Sequence, residues 1–584
     1  MLLDDFLLQV MKPARYIGQE WNVSRKDFDK TNIKFALCFP DLYEIGMSNL
    51  GIRIIYGILN EIPDVVCERV FACDCDMENM LREKHLEIFS LESKKSLKEF
   101  DIIGFSLGTE LSYANVLKIL DLGSIALGAS CRGNKDPLVI GGGPSVLNPE
   151  PMHEFFDLFV IGEAEEALLE IIDVYRKHEE GYKAGKISRH ELLFALSQIE
   201  GVYVPLFYEV KFSSEGNMEY FKPIVPGAPT KIKKRFVRDF NSSYFPRNWL
   251  VPYIQLIHDR VVLEVMRGCP NRCRFCQARA QYFPFRQRSA EKVLELASSA
   301  YKCSGYEELS LAGLSVSDYA HIEEVLKGLV ELFKKDAIGI SLPSVKAKTM
   351  IGGIASLIAS IKKTGLTFAP EAGLSRMREL LGKDFNEGDF FTALEQAFLS
   401  GYQHVKLYFM IGLPGESQQD LDAIIDLSAR VSESRRKVMG APAQVNVSIN
   451  MLIPKPHTPL QWLRMQDLES IKMKQDYLRE NIKNKRIKLS FHSRYMGFLE
   501  GVLSRGDRRL SRVILQAFLE GASFDAWADH FSFEKWDAAF RKCGIDPLFY
   551  LKEKTKEELL PWDFIDVGIP RELTREEFEK TIDI

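Results

Sequence analysis

The first 180 residues alternate short apolar runs with amphipathic stretches. Four of the apolar runs are typical of buried strands and lie at residues 33–40, 100–107, 137–140 and 156–161. Helical periodicity follows the first two of them, at residues 50–59 and 114–122. Strands that alternate with helices form parallel sheets covered on both faces. The pattern therefore predicts an α/β fold, with a doubly wound, Rossmann-like domain at residues 30–180.

A second alternating series begins near residue 256. Its six strand-like runs lie at residues 261–266, 308–311, 339–342, 366–369, 405–410 and 444–449. Charged amphipathic stretches separate these runs, as expected for helices between parallel strands. Six strand–helix units predict a partial (β/α)6 barrel over residues 256–460, with its working site at the carboxyl ends of the strands.

The remaining segments lack this alternation. Residues 1–29 are expected to form an N-terminal helix and an extension, and residues 181–255 a connector with a small strand pair. Residues 461–584 are charged and helical in pattern, and they hold four of the six tryptophans. We expect this last segment to be a mostly helical C-terminal region.

Composition and charge narrow the functional classes. The 584 residues are 46% hydrophobic and 27% charged, and the net charge of -5 is close to neutral for this size. Nucleic acid is therefore not indicated as a partner, and neither is an anionic membrane. No apolar stretch is long enough to cross a bilayer, and the acidic N-terminus lacks the basic region of a secretory signal. We expect a cytoplasmic protein of several domains.

Three cysteines on one loop carry the strongest chemical signal. Cys269, Cys273 and Cys276 are spaced C-x3-C-x2-C, directly after the first strand of the second series. Most four-iron clusters take four cysteines, so a trio leaves one iron open to a substrate or cofactor. The alternative is a zinc site with His258 as fourth ligand, although structural zinc usually draws on two separated ligand pairs. The spacing favours a 4Fe-4S cluster.

The trio and the strand ends after it resemble the core of radical S-adenosylmethionine (SAM) enzymes. The resemblance implies that SAM binds the open iron and is reductively cleaved to a 5'-deoxyadenosyl radical. It also implies cofactor-binding roles for residues at successive strand ends, namely Phe275 beside the adenine, Gly313 and Ser315 in the turn for the SAM amino group, Glu371 at the ribose or amine, and Gly412 near the adenine.

Several of these positions have a purely structural alternative. The turn at residues 312–315 lacks the glycine-glycine-acid form that the family often has. Glu371 also suits an acid that stabilises a helix N-terminus. Gly412 suits any strand–helix turn that needs backbone freedom.

The N-terminal domain resembles a cobalamin-binding domain. Such domains carry Asp-x-His-x-x-Gly after their first strand, then a Ser-x-Leu turn and a Gly-Gly turn. The matching positions here are Asp41, Tyr43 and Gly46, then Ser106, then Gly141 and Gly142. Tyr43 replaces the histidine that would ligate cobalt, and a phenol is a much poorer neutral ligand than imidazole. The domain either binds cobalamin without a lower protein ligand or has lost it, in which case the glycines only pack helices on strands.

The whole chain resembles one uncharacterised family of radical SAM proteins with a cobalamin-type domain. The motifs that carry this resemblance lie at residues 39–48, 161–166, 368–373 and 503–509. The resemblance implies methyl transfer to an unactivated centre if cobalamin is retained, and methylthiolation of RNA or protein as the alternative. A non-enzymatic zinc-binding scaffold is the third hypothesis. The expected partner is an electron donor such as a flavodoxin or ferredoxin, and no substrate is implied.

Overall fold

The computed structural model describes residues 7–336, 338–341 and 366–582. Its strands are β1 (Ile33–Phe39), β2 (Val65–Phe71), β3 (Ile102–Ser106), β4 (Leu138–Gly142), β5 (Leu158–Val160), β6 (Val202–Tyr203), β7 (Tyr208–Phe212), β8 (Met218–Pro223), β9 (Ile232–Lys233), β10 (Val261–Glu264), β11 (Met266–Arg267), β12 (Arg286–Gln287), β13 (Glu308–Ala312), β14 (Gly339–Ser341), β15 (Leu366–Glu371), β16 (His404–Ile411), β17 (Gln444–Met451), β18 (Ile487–Phe491) and β19 (Ile565–Asp566).

The helices follow in the same chain order. They are α1 (Ala14–Ile17), α2 (Tyr43–Ser48), α3 (Leu50–Glu61), α4 (Cys75–Glu83), α5 (Tyr113–Leu122), α6 (Ala164–Lys183), α7 (Arg189–Ser197), α8 (Ala278–Gln281), α9 (Ala290–Ser304), α10 (Ile322–Phe333), α11 (Ser375–Leu380), α12 (Glu387–Leu399), α13 (Gln418–Met439), α14 (Leu468–Asn481), α15 (Arg494–Ser504), α16 (Leu510–Leu519), α17 (Phe533–Cys543), α18 (Leu548–Leu551) and α19 (Arg571–Ile582). Within the described ranges, no helix is both long and apolar enough to cross a membrane.

The chain divides into two compact units. The first comprises Met1–Asp259, Val502–Tyr550 and Glu557–Val567, and the second comprises Arg260–Gly501, Leu551–Lys556 and Gly568–Ile584. This division corrects the single helical region that the sequence predicts at residues 461–584. The segment is shared between the units because β18 pairs with β17 in the second unit, whereas β19 pairs with β9 in the first.

The first unit is built on a six-stranded sheet in the order β2-β1-β3-β4-β5-β6. The first five strands of this order are parallel, and β6 runs antiparallel to β5. Strands β1 and β2 are buried along nearly their whole length, as in parallel sheets with both faces covered. The predicted doubly wound fold is therefore confirmed.

The predicted connector at residues 181–255 belongs to this unit as well. Its helix α7 leads into β6, which completes the main sheet, and the predicted strand pair is the antiparallel hairpin of β7 and β8. At the other end of the unit, the first six residues of the predicted N-terminal helix lie outside the described residues. Leu7 and Val10, on the predicted apolar face, are buried.

The second unit contains two parallel sheets, β10-β13-β14 and β15-β16-β17-β18. All six strands predicted from the apolar runs are present, and all neighbouring strands in both sheets are parallel. Helices α12, α13 and α14 connect the strands of the second sheet in turn. This is the strand–helix repeat predicted for a partial barrel, with β18 as an additional strand. In β17, Val445, Val447 and Ile449 are buried while Asn446 and Asn450 are exposed, so one face of this sheet is apolar and the other polar.

Candidate active site

The cysteine loop leaves the sheet at the carboxyl end of β10. Strands β11 and β12 close the base of the loop as an antiparallel pair in which Arg267 lies opposite Arg286. Gly268 begins the loop with a φ of +85°, and a Cβ there would lie 2.8 Å from the Tyr282 oxygen and from Phe285 Cα. A residue with a side chain would be strained in this conformation and would have no room. The trio thus lies at the strand end where a barrel holds its chemistry.

The three thiols of this loop are half-buried and form no disulfide. Burial raises the pKa of Cys273 to about 11, against the opposing effect of the Lys383 ammonium, and the negative charges of Cys276 and Cys269 raise the same pKa further. Burial also raises the pKa of Cys276. Thiols with raised pKa values release protons when they bind a metal.

The donor set of the loop fits a cluster better than a single zinc ion. Among the described residues, no three or more Cys, His, Asp or Glu side chains are gathered at the distances that one ion requires. The thiolates of a four-iron cube bind different irons, so they stand farther apart than the ligands of one zinc ion.

A hydrogen-bonded triad links the cysteine loop to the turn after β13. Asp318 Oδ2 accepts from Ser315 Oγ at 2.7 Å and from Asn271 Nδ2 at 2.9 Å. The same amide nitrogen lies 3.3 Å from the Sγ of Cys269. The turn therefore supplies a carboxylate beside the trio, although it lacks the glycine-glycine-acid form.

A second polar group beside the cysteines is the ion pair of Glu371 and Lys383. Their Oε1 and Nζ atoms lie 3.3 Å apart. Burial raises the pKa of Glu371, against the opposing charge of Lys383. The backbone N–H of Arg274 donates to the Leu381 carbonyl at 2.8 Å, which ties the turn that carries Lys383 to the cysteine loop.

The backbone at Glu371 also indicates function. Glu371 has a φ of +67°, in the left-handed region, and a register irregularity precedes it in β15. Non-glycine residues held in this region cluster at functional sites. Glu371 is not a first-turn acid, because the following helix begins at Ser375 and has no acid in its first turn.

The two glycines predicted at cofactor turns have local structural reasons to be glycine. Gly412 follows β16 with a φ of +84°, and its N–H donates to Glu416 at 2.9 Å. Glu416 is in turn paired with Lys474. A Cβ on Gly313 would lie 2.4 Å from Met266 Cγ. Both turns stand at strand ends as predicted, and the contacts of these glycines with SAM stay predictions.

The C-terminal helix α19 also contacts the cysteine loop. Arg279, in the short helix directly after the trio, pairs with Glu577 of α19 through both terminal nitrogens. A cavity of about 260 Å³ adjoins Cys269, and Arg272 and Phe283 are among the residues that line it. Phe275 is half-buried within the loop, and its role beside the adenine stays a prediction.

In the first unit, the loop after β1 is closed by the unit's own side chains. The Tyr43 hydroxyl donates to Glu20 at 2.8 Å, and Glu20 pairs with the fully buried Arg69. Burial raises the pKa of Tyr43, so its phenol stays neutral. Asp41 accepts from the Trp527 indole at 2.9 Å. A buried, neutral and hydrogen-bonded phenol does not fit a cobalt ligand.

The other cobalamin-type positions are of two kinds: two glycines in close contact with neighbouring rings, and two residues that are half-exposed. A Cβ on Gly46 would lie 2.2 Å from the Phe71 ring, and one on Gly141 would lie 2.8 Å from a neighbouring phenylalanine ring. These two glycines serve packing between helix and strand or between strands. Ser106 and Gly142, at the carboxyl ends of β3 and β4, are half-exposed. The residues of the β1 loop therefore do not fit the cobalamin role that the motif implies for them.

Asp318 and Lys383 are candidate site residues that sequence reasoning missed. Asp318 had a usable signal, because it is the first acid after the turn in which the family's acid is missing. Lys383 had none, since a whole helix separates it from Glu371. Its place beside the trio depends on how that helix packs.

The parallel strand–helix repeat, with a cysteine loop at its first strand end, is the arrangement expected of a radical SAM core. Profiles described as "Radical SAM proteins, N-terminal" and "Radical SAM superfamily" match residues 51–205 and 263–428. An uncharacterised protein of Methanocaldococcus jannaschii is 30% identical over 483 residues, which are 82% of this chain and 90% of that protein. The chain therefore belongs to the radical SAM superfamily. Membership implies a 4Fe-4S cluster and SAM as cofactors.

Two further similarities cover less of the chain or are more distant. The threonylcarbamoyladenosine tRNA methylthiotransferase MtaB of Chlamydia pneumoniae is 26% identical over 171 residues, 28% of this chain and 40% of that protein. Among solved structures, the radical SAM methyltransferase TsrM of Kitasatospora setae, with cobalamin and a 4Fe-4S cluster bound, is 14% identical. That comparison covers 74% of this chain and 77% of TsrM, with a TM-score of 0.48.

Proposed function

We propose that this protein reductively cleaves SAM at a 4Fe-4S cluster held by Cys269, Cys273 and Cys276, and uses the resulting radical to modify a substrate. When bound, such a cluster supplies one electron to SAM, which breaks into methionine and a 5'-deoxyadenosyl radical. The observation that carries the proposal is the loop of three neighbouring thiols at the carboxyl end of β10. The polar groups of Asp318 and Lys383 beside that loop support it.

These polar groups complement the amino-acid end of SAM, which carries an ammonium and a carboxylate. Asp318 would accept hydrogen bonds from the ammonium, and Ser315, which donates to it at 2.7 Å, fixes its orientation. Lys383 would donate to the carboxylate, and Glu371 would accept from the ribose hydroxyls. An acid and a base at separate positions orient a zwitterion in one direction, because reversing it would place like charges together.

The test is anaerobic reconstitution with iron and sulfide, followed by dithionite and SAM. We expect a brown protein that forms 5'-deoxyadenosine, detected by liquid chromatography and mass spectrometry. Cys273→Ala should lose both the colour and the product. Cys303→Ala is the matched control, because Cys303 is a half-buried cysteine of the same unit, in α9 and outside the loop. Product at the wild-type rate from Cys273→Ala would contradict the assignment, and a colourless protein with one zinc would favour the scaffold hypothesis.

A one-electron protein donor of the flavodoxin or ferredoxin class is part of this proposal. Arg272 supports it, because this basic side chain is exposed in the middle of the cysteine loop and complements an acidic partner surface. Arg272→Glu should slow product formation with a reduced acidic flavodoxin and leave the rate with dithionite unchanged. If Arg272→Glu keeps the wild-type rate with the flavodoxin as well, the donor binds elsewhere.

The reaction that follows SAM cleavage has two candidates. Methylthiolation is favoured by the tRNA methylthiotransferase relative, which matches 28% of this chain. Cobalamin-dependent methyl transfer is favoured by the doubly wound first unit, although its β1 loop offers no cobalt ligand. The protein is incubated with hydroxocobalamin and passed over a gel-filtration column. Retention of one equivalent would support methyl transfer, and complete loss would support methylthiolation.

A further inference from the structure

The side chain of Asn271 joins a proposed cluster ligand to a proposed SAM contact. Its Nδ2 lies 3.3 Å from the Sγ of Cys269 and 2.9 Å from Asp318 Oδ2. Ser315 Oγ lies farther from this nitrogen, at 3.5 Å, and donates to the same Asp318 oxygen at 2.7 Å. A primary amide has two N–H groups, so Nδ2 is able to donate to the carboxylate and to the sulfur at the same time.

A structural role alone would not require the contact with sulfur. An asparagine in a Cys-Pro-Asn-Arg turn serves a loop by bonding to its own neighbouring backbone. The amide of Asn271 reaches across to Asp318, in the turn after β13. The carboxylate therefore sets the direction of the amide, and this direction brings an N–H to Cys269.

We propose that Asn271 raises the reduction potential of the cluster by donating a hydrogen bond to the Cys269 thiolate, and that Asp318 is the residue that positions its amide. The proposal rests on the proposed function, because Cys269 must be a cluster ligand. Reduction by one electron, from dithionite or a flavodoxin-type donor, adds negative charge that is shared with the ligand sulfurs. An N–H donor stabilises the more negative state more strongly, and hydrogen bonds to sulfur are among the factors that set cluster potentials.

The experiment compares the cluster potentials of reconstituted wild type and of Asn271→Leu, measured without SAM by titration with dithionite and detection by electron paramagnetic resonance. Leucine keeps the size and removes both N–H groups. We expect a tenfold lower ratio of reduced to oxidised cluster at a given potential, which is a shift of about 59 mV to more negative potential for a one-electron couple. A coupling to an exchangeable proton, seen by pulsed measurement in water and D2O, should disappear with it.

Two further variants serve as a control and as an alternative to the leucine substitution. Gln277→Leu is the matched control, because its amide lies in the same loop and donates to the Pro456 carbonyl at 3.4 Å. Its potential should equal that of wild type. Asn271→Asp, which keeps the size, removes both N–H groups and adds a negative charge, should lower the potential at least as far as Asn271→Leu does. Loss of the exchangeable-proton coupling is its decisive readout, and it replaces the leucine variant if leucine prevents cluster assembly.

The two proposals fail in different ways. A wild-type protein that assembles no cluster would overturn the proposed function and this inference together. If wild type cleaves SAM while Asn271→Leu and Asn271→Asp keep its potential and its exchangeable proton, only the inference is overturned. Asn271 would then serve the loop structurally.

Discussion

Replacing Glu20 by glutamine should destabilise the first unit by about 3 kcal/mol at neutral pH. Glu20 is 3% exposed, accepts from the Tyr43 hydroxyl and pairs with the buried Arg69. Burial by itself raises the pKa of Glu20, but the charge and hydrogen bonds of Arg69 outweigh it and bring the pKa from 4.5 to about 2. A shift of this size corresponds to about 3 kcal/mol of preference for the ionised form.

The same shift gives the stability a defined pH dependence. Because the folded-state pKa is lower than the unfolded one, this contribution is fully present above pH 4.5 and is lost as the pH falls toward 2. Wild type should lose stability steeply across this window. Glu20→Gln has no titrating group at this position, so its stability should change less over the same range.

The assay is unfolding by urea, with hydrogen exchange of peptides from β1 and β2 to report on the first unit separately. Glu209→Gln is the control, because Glu209 is an exposed acid in β7 of the same unit, and its replacement should change stability by less than about 0.5 kcal/mol. If Glu20→Gln behaves like this control, or keeps the wild-type pH dependence, then the pair of Glu20 and Arg69 does not stabilise the β1 loop. Tyr43 would then be available for another role.

Three more changes test the two units. Gly268→Ala should lower the iron and sulfide bound per chain, because its Cβ would lie 2.8 Å from backbone atoms at a φ of +85°, a strain of about 1–3 kcal/mol. The control is Gly440→Ala, at a φ of +76° with open space around it. Equal iron content in the two variants would refute the argument. Asp318→Asn should weaken SAM binding about tenfold through loss of a charge-assisted contact, measured by anaerobic calorimetry, and an unchanged Kd would remove Asp318 from the site. Trp527→Phe removes the indole N–H that donates a hydrogen bond to Asp41. The free energy of unfolding of the first unit should fall by about 1–3 kcal/mol, and an unchanged free energy of unfolding would show that this hydrogen bond is not stabilising.

Most of the parallel strands could be predicted because buried parallel strands are usually continuous apolar runs, which are a local property of the chain. Strand β2 was not predicted, although it is buried and parallel, because Glu68 and Arg69 interrupt its apolar run. Strand β18 was not predicted because only alternate residues of Ile487–Phe491 are apolar, and Lys488 and Ser490 are exposed. The division of the C-terminal segment between the two units was not predicted for a different reason. Which strand pairs with β19 depends on β9, more than three hundred residues earlier, and no local pattern encodes that choice.

By itself the sequence determined the cysteine trio and its position after the first barrel strand, because three ligands on one short loop form a local signal. Only the tertiary structure decided what surrounds them. Asp318, from the turn after β13, and Lys383, from the turn after α11, come to the loop through packing. The same holds for Tyr43. Its position in a cobalamin-type motif was visible in the sequence, whereas its hydrogen bond to Glu20 depends on how the N-terminal extension folds over β1. Contacts between distant residues come from the whole packed core, and short motifs do not contain that information.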